Sequence, residues 1–125
     1  MRFSVLIFLL MACSSSNGQS AEVLAPAEFE KKLADIKDKQ VIDVRTLDEF
    51  SKGHLADAVM IDFYNDDFKS RVAKLDKNKP VFVYCAAGGR SGSATEIFKE
   101  LGFKKIYDLK GGYKAWAGAG KSVVK

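Results

Sequence analysis

Val81-Phe82-Val83-Tyr84 is an apolar run without polar alternation, and it opens directly onto Cys85-Ala86-Ala87-Gly88-Gly89-Arg90. A half-exposed strand alternates apolar and polar residues, because successive side chains point to opposite faces. A run that is apolar throughout needs cover on both faces, which an interior parallel strand flanked by helices receives. From Ser91 onward, Ala94, Ile97, Phe98 and Leu101 fall on one helical stripe, and Gly102 suits its stop. The chain therefore predicts a buried strand that turns sharply into a helix, with a thiol at the turn.

The other segments repeat this alternation. Val23-Leu24 reads as a short first strand, followed by a helix with Pro26 in its first turn and Phe29, Leu33 and Ile36 at helical spacing. Val41-Ile42-Asp43-Val44 reads as a strand. Thr46-Leu47-Asp48-Glu49 has the form of a capping box, with a short helix ending by Gly53. Ala58-Val59-Met60-Ile61 is the next apolar run, and Phe68, Val72 and Leu75 share a face in a helix over 66–75. Ile106 to Leu109 is the last strand, Gly111-Gly112 a turn, and 113–117 a final short helix. Strands alternating with helices predict an α/β fold, with a central, mainly parallel five-stranded sheet and helices on both faces.

Length and charge narrow the function classes. The 125 residues suffice for one domain. The formal charge of +4 is mild and the lysines are scattered, so no basic stripe marks a nucleic-acid surface. A weak preference for anionic small substrates is permitted. A monomer is expected.

The N-terminus reads as a targeting segment. Arg2 is a minimal charged region, and residues 3–12 form an apolar stretch too short to span a bilayer. Leu10-Met11-Ala12-Cys13 resembles the cleavage box of bacterial lipoproteins, in which the cysteine is lipidated; an ordinary secretory signal is the alternative. The division is then a signal over 1–12, a polar tether over 13–22, the folded domain over 23–120 and a tail over 121–125. Either reading places the domain outside the cytosol, in a bacterial periplasm or cell envelope. The membrane is met only through the lipid on Cys13, if that is present. With Cys13 lipidated or removed, Cys85 is the one thiol left and has no partner for an internal disulfide.

The loop after that thiol favours chemistry over packing. Gly88 and Gly89 permit positive φ, so the loop can curl around sulfur with its N–H groups inward. Ala86 and Ala87 are small and uncharged. The helix from Ser91 points its positive end at the same place. A free thiol with a pKa of about 8.5 is roughly 3% ionised at pH 7, whereas about 6.5 would give roughly 75%. That change needs only ~2.7 kcal/mol of preferential anion stabilisation, which several amides can supply. Arg90 could hold a substrate anion or a neighbouring carboxylate.

Cys85-Ala86-Ala87-Gly88-Gly89-Arg90-Ser91 resembles the active-site loop of single-domain rhodaneses. Asp43-Val44-Arg45 resembles the family's Asp-x-Arg strand end. Glu49-Phe50, with Gly53-His54-Leu55-Ala56-Asp57-Ala58, resembles its second motif, and Leu109-Lys110-Gly111-Gly112-Tyr113 with Trp116 its C-terminal motif. The resemblance covers about 23–117. It implies a rhodanese-like fold and a sulfurtransferase that moves a sulfane sulfur from a donor such as thiosulfate to a thiol or cyanide acceptor. A persulfide on Cys85 would carry the sulfur, while residues 86–91 bind substrate, and the reaction so implied requires no metal or organic cofactor. A carrier or binding module without turnover is the alternative.

The remaining conspicuous residues have plainer readings. His54 more often satisfies local hydrogen bonds than acts as a base. Asp43 and Arg45 brace the sheet end, and Tyr113 and Trp116 pack. Phe63, Tyr64 and Asn65 follow a strand and could rim the pocket. Cysteine phosphatases and arsenate reductases place five residues between cysteine and arginine, but this loop has four, Ala86 to Gly89. A disulfide oxidoreductase wants a nearby resolving thiol, such as Cys-x-x-Cys, and this sequence has none.

Overall fold

The computed structural model describes residues 18–125. The signal segment, Cys13 and the first half of the tether, 13–17, lie outside the described residues. The elements run β1 (Ser20–Leu24), α1 (Pro26–Asp35), β2 (Gln40–Asp43), α2 (Leu47–Ser51), β3 (Val59–Met60), α3 (Phe68–Val72), β4 (Val81–Tyr84), α4 (Gly89–Glu100), β5 (Lys105–Leu109) and α5 (Gly112–Gly118). The five strands form one sheet in the order β1-β5-β4-β2-β3, and every pairing is parallel.

The handedness of the connections distributes the helices. The β1-α1-β2 crossover travels one way across the sheet, whereas β3-α3-β4 and β4-α4-β5 travel back. Right-handed crossovers in opposite directions cover opposite faces. Phe68, Val72, Ala94 and Phe98 of α3 and α4 accordingly pack with Val81, Val83 and Cys85. Phe29 of α1 and Trp116 of α5 pack with Phe82 and Tyr84 on the other side. All four β4 residues are fully buried, which is why the strand carries no polar alternation. Each such side chain contributes roughly 1.5–3 kcal/mol relative to exposure. The period of two also decides which face receives Cys85, the one covered by α3 and α4.

Local signals set the ends of several elements. Thr46 caps α2 through Oγ1, which accepts from Glu49 N–H at 3.3 Å, and Glu49 Oε1 accepts from Thr46 N–H at 3.3 Å. Pro26 opens α1, and Gly102, with φ +88°, follows α4.

Three boundaries differ from the sequence reading. First, β1 begins at Ser20 rather than Val23, so Ser20, Ala21 and Glu22 belong to the sheet and not to the tether. Glu22 and Val23 are exposed on this edge strand, so its apolar pattern is faint, and full pairing with β5 supplies what the pattern lacks. Second, α3 is only five residues long; the 66–67 segment is turn, with Asn65 C=O accepting from Phe68 N–H at 3.0 Å. Third, the tail over 121–125 is tied down. Val124 and His54 exchange backbone hydrogen bonds of 2.8 Å, and Trp116 Nε1–H donates to Ser122 C=O at 2.9 Å.

Candidate active site

Cys85 sits immediately beyond the carboxyl end of β4, between β2 and β5, where α/β sheets present ligands. The residue is only 1% exposed, yet it lines the floor of an open pocket of about 390 Å³. The walls are Phe63, Tyr64, Ala86, Ala87, Gly89, Arg90 and Ser93.

The loop curls as its glycine requires. Gly88 has φ +114°, a conformation that L side chains rarely adopt, and its N–H donates to Cys85 Sγ at 3.0 Å. Ser91 Oγ lies 3.5 Å from the same sulfur and donates to Gly88 C=O at 3.2 Å. Burial alone pushes the thiol up. The Ser91 hydroxyl, then the amides of Ser91, Gly88 and Ala87, outweigh burial, and the thiol lies below its ordinary value. Gly88 and Ser91 therefore touch the sulfur from behind, while Ala86, Ala87, Gly89 and Arg90 shape the opening. Gly89 corrects one expectation. It opens α4 and has no positive φ; what it contributes is the absence of a side chain at the pocket wall.

The opposite side of the loop is held by α5. Tyr113 N–H donates to Cys85 C=O at 2.7 Å and Lys114 N–H to Ala86 C=O at 3.0 Å. With these carbonyls turned toward α5, the loop presents its N–H side to sulfur. Gly112 lets the helix approach this closely. A Cβ there would stand 2.5 Å from Cys85 O and 2.6 Å from Ala86 C. This support was not read from the sequence, where Gly111-Gly112 stood as a turn and as part of the C-terminal motif. A second omission, Ser93, was accessible in principle, since it stands three and four residues from Arg90 and Gly89 on one helix.

Arg90 closes the pocket but is already engaged. Its Nη1 and Nη2 donate to Glu49 Oε1 and Oε2 at 2.7 and 3.0 Å. The fork holds the Glu49 carboxyl down at about 2, and the carboxylate raises the guanidinium in turn. Glu49 thus both caps α2 and anchors the loop. The exposed ring of Tyr64 lies 5.5 Å from the Arg90 guanidinium.

The remaining candidates lie elsewhere or brace the scaffold. Arg45 forms a buried fork to Asp43, with Nη2–Oδ2 at 2.7 Å, donates to Gly53 C=O at 2.7 Å and stacks over Tyr113 at 4.3 Å. His54 stacks on Phe50 at 3.9 Å, with Nδ1 3.1 Å from Phe50 C=O, and is absent from the pocket lining. Phe63 and Tyr64 line the pocket, and Asn65 does not. Among the described residues, no three His, Cys, Asp or Glu side chains come together as a metal-holding group.

Known proteins agree with this geometry. Residues 25–119 match the rhodanese-like domain family. The chain belongs to the rhodanese family. A sulfurtransferase from Allochromatium vinosum is 31% identical over 96 residues, covering 77% of this chain and 88% of that protein. The thiosulfate sulfurtransferase GlpE of Coxiella burnetii is 36% identical over 80 residues, covering 64% and 73%. The crystal structure of a rhodanese-related protein from Thermoplasma volcanium superposes with a TM-score of 0.73 at 28% identity, covering 82% of this chain and 97% of that one. The α/β rhodanese fold with its five-stranded parallel sheet is thereby established for this chain.

Proposed function

We propose that the protein is a sulfurtransferase that carries sulfur as a persulfide on Cys85. The observation that bears most weight is the sulfur itself, lying 3.0 Å from the Gly88 amide at the floor of an open pocket. With thiosulfate as donor, the Cys85 thiolate attacks the outer sulfur. The new S–S bond forms as the S–S bond of thiosulfate breaks, and sulfite leaves with that electron pair. The product, a persulfide anion, extends from the floor toward the opening. A thiophile then attacks the outer sulfur: cyanide gives thiocyanate, a thiolate gives a new persulfide, and Cys85 returns as thiolate. Each step leaves an anion on sulfur, so the same amides serve throughout, and the two half-reactions predict ping-pong kinetics. Steady-state rates with thiosulfate and cyanide test the reading; parallel double-reciprocal lines support it, and intersecting lines refute it.

A second reading, a sulfur carrier without turnover on small donors, draws on Arg90. Among the described residues it is the one cation lining the pocket, and Glu49 already neutralises it. A dianion such as thiosulfate would have to rely on amides alone, whereas a partner protein brings its own binding surface. Formation of persulfide from a protein donor, with no thiosulfate turnover, would favour this reading.

We also propose that residues 1–12 direct export and that Cys13 is lipidated. The support is the apolar segment and the Leu10–Cys13 box. Labelling with a radioactive fatty acid in a bacterial host, abolished by Cys13→Ala, tests this.

A further inference from the structure

The pocket above Cys85 is larger and more apolar than an inorganic donor needs. Its volume of about 390 Å³ falls within the roughly 300–1,000 Å³ of sites for organic ligands, and thiosulfate would fill only a small part of it. Above the Gly88 amide and the sulfur at the floor, the walls are largely carbon. They are the rings of Phe63 and Tyr64 and the methyl groups of Ala86 and Ala87, to which Ser93 and Arg90 add polar groups.

The two rings differ in what holds them. Phe63 is half-buried, meets Phe68 edge-on with ring centroids 5.1 Å apart and packs on the core. Tyr64 lines the pocket yet is 68% exposed, so most of its ring is uncovered. Its position is nonetheless fixed by the backbone. Phe63 N–H donates to Val44 C=O at 3.1 Å, Tyr64 N–H to Asp62 Oδ1 at 2.9 Å and Asn65 N–H to Asp62 C=O at 3.2 Å. An uncovered aromatic face held in place at a pocket wall is area that a ligand can bury without first ordering it. Charge points the same way. The segment that carries both rings also carries Asp62, Asp66 and Asp67, none of which joins an ion pair among the described residues. Arg90 is held by Glu49, so a dianion gains little from it, and a monoanion is repelled less than a dianion by the nearby carboxylates.

We propose that Tyr64 is a specificity-determining residue: its ring, with that of Phe63, holds the carbon group of an organic sulfane-sulfur monoanion, such as a persulfide, in preference to thiosulfate. This rests on the reading of Cys85 as the sulfur carrier. With an organic persulfide, the Cys85 thiolate attacks the outer sulfur and a new S–S bond forms. The S–S bond of the donor breaks, and the organic thiolate leaves with its electron pair. Attack and departure lie in line, so the organic group stands on the far side of the transferred sulfur from Cys85. Cys85 is at the floor, which puts that group between the walls, where the two rings are.

Benzenethiosulfonate and methanethiosulfonate test this, because they carry the same charge and differ in phenyl against methyl. Their kcat/KM values, with cyanide as acceptor, are measured for the full chain and for Tyr64→Ala and Tyr64→Phe. Comparing the phenyl-to-methyl ratio between variants cancels the intrinsic reactivity of each donor. The ratio should fall about three- to tenfold in Tyr64→Ala, the worth of one aromatic pair, and hold within about twofold in Tyr64→Phe. Persulfide formation with a ratio unmoved by Tyr64→Ala overturns the proposal and leaves the proposed function standing. A second readout needs no sulfur transfer. Benzenesulfinate has no sulfane sulfur, and it should slow iodoacetamide alkylation of Cys85 in the full chain carrying Cys13→Ala. Its apparent Kd should be lower than those of methanesulfinate and sulfate by about threefold or more, and Tyr64→Ala should erase the difference. Equal protection by sulfate, a dianion without carbon, overturns the proposal. Selective protection by benzenesulfinate with no persulfide from any donor would refute the proposed function and leave Tyr64 as the face that binds the organic group.

Discussion

Gly112→Ala probes the support of the loop from behind. Two costs can be separated. Gly112 has φ +62°, and an alanine in that region costs about 1–2 kcal/mol. The added Cβ would also stand 2.5 Å from Cys85 O and 2.7 Å from Ala86 O, so helix and loop must part. Their separation breaks the Tyr113 N–H and Lys114 N–H bonds to those carbonyls, at 2.7 and 3.0 Å, worth about 1 kcal/mol each. The total is roughly 3–4 kcal/mol. Gly120→Ala is the matched control, since Gly120 has φ +72° and no atom within 4 Å of the added Cβ. It should cost only the backbone share, about 1–2 kcal/mol. Urea unfolding followed by Trp116 fluorescence gives both values, provided the slope is unchanged. Iodoacetamide profiles should show a raised thiol pKa in Gly112→Ala and none in Gly120→Ala. Equal destabilisation by the two substitutions, with an unmoved thiol in both, would refute the claim that α5 orients the loop amides.

Further outcomes follow from the same geometry. Gly88→Ala meets no crowding, its added Cβ lying 4.0 Å from Gly111 N, but it opposes φ +114°; persulfide formation should slow at least tenfold with a stability loss of about 1–2 kcal/mol. Glu49→Gln frees the charge of Arg90 into the pocket and should lower the thiosulfate KM about two- to fivefold, read from initial rates. The same variant should be less stable by about 1–2 kcal/mol at pH 7. Because the folded Glu49 carboxyl is depressed from 4.5 to about 2, that stabilisation is complete above pH 4.5. It is lost as pH falls toward 2, and the unfolding curves of wild type and variant should converge there.

Much of the fold was legible because burial leaves a mark on composition. The unbroken Val81–Tyr84 run announced a strand covered on both faces, and Thr46 with Glu49 announced the start of a helix. The first strand was cut short because Ser20, Ala21 and Glu22 lie on an edge, where pairing with β5 demands little apolar surface. Cys85 and its glycine were readable from local order alone. What stayed hidden depends on distant segments meeting: Arg90 with Glu49 across 41 residues, and the α5 amides with the loop carbonyls. A sequence states which groups a loop owns, whereas the partners of those groups are set by sheet order. For the same reason the spacing made Gly89 look like a second left-handed residue, although it is the first residue of a helix.

The central claim is that Cys85, held as an anion by its own loop, carries the transferred sulfur. Intact-mass measurement of the full chain after brief exposure to a sulfane-sulfur donor, followed by peptide mapping, addresses it directly. The account predicts a gain of one sulfur atom on the Cys85 peptide, absent in Cys85→Ser and reversed by cyanide. An unmodified Cys85 under conditions where iodoacetamide reacts with it readily, or sulfur located only on another residue, would contradict it.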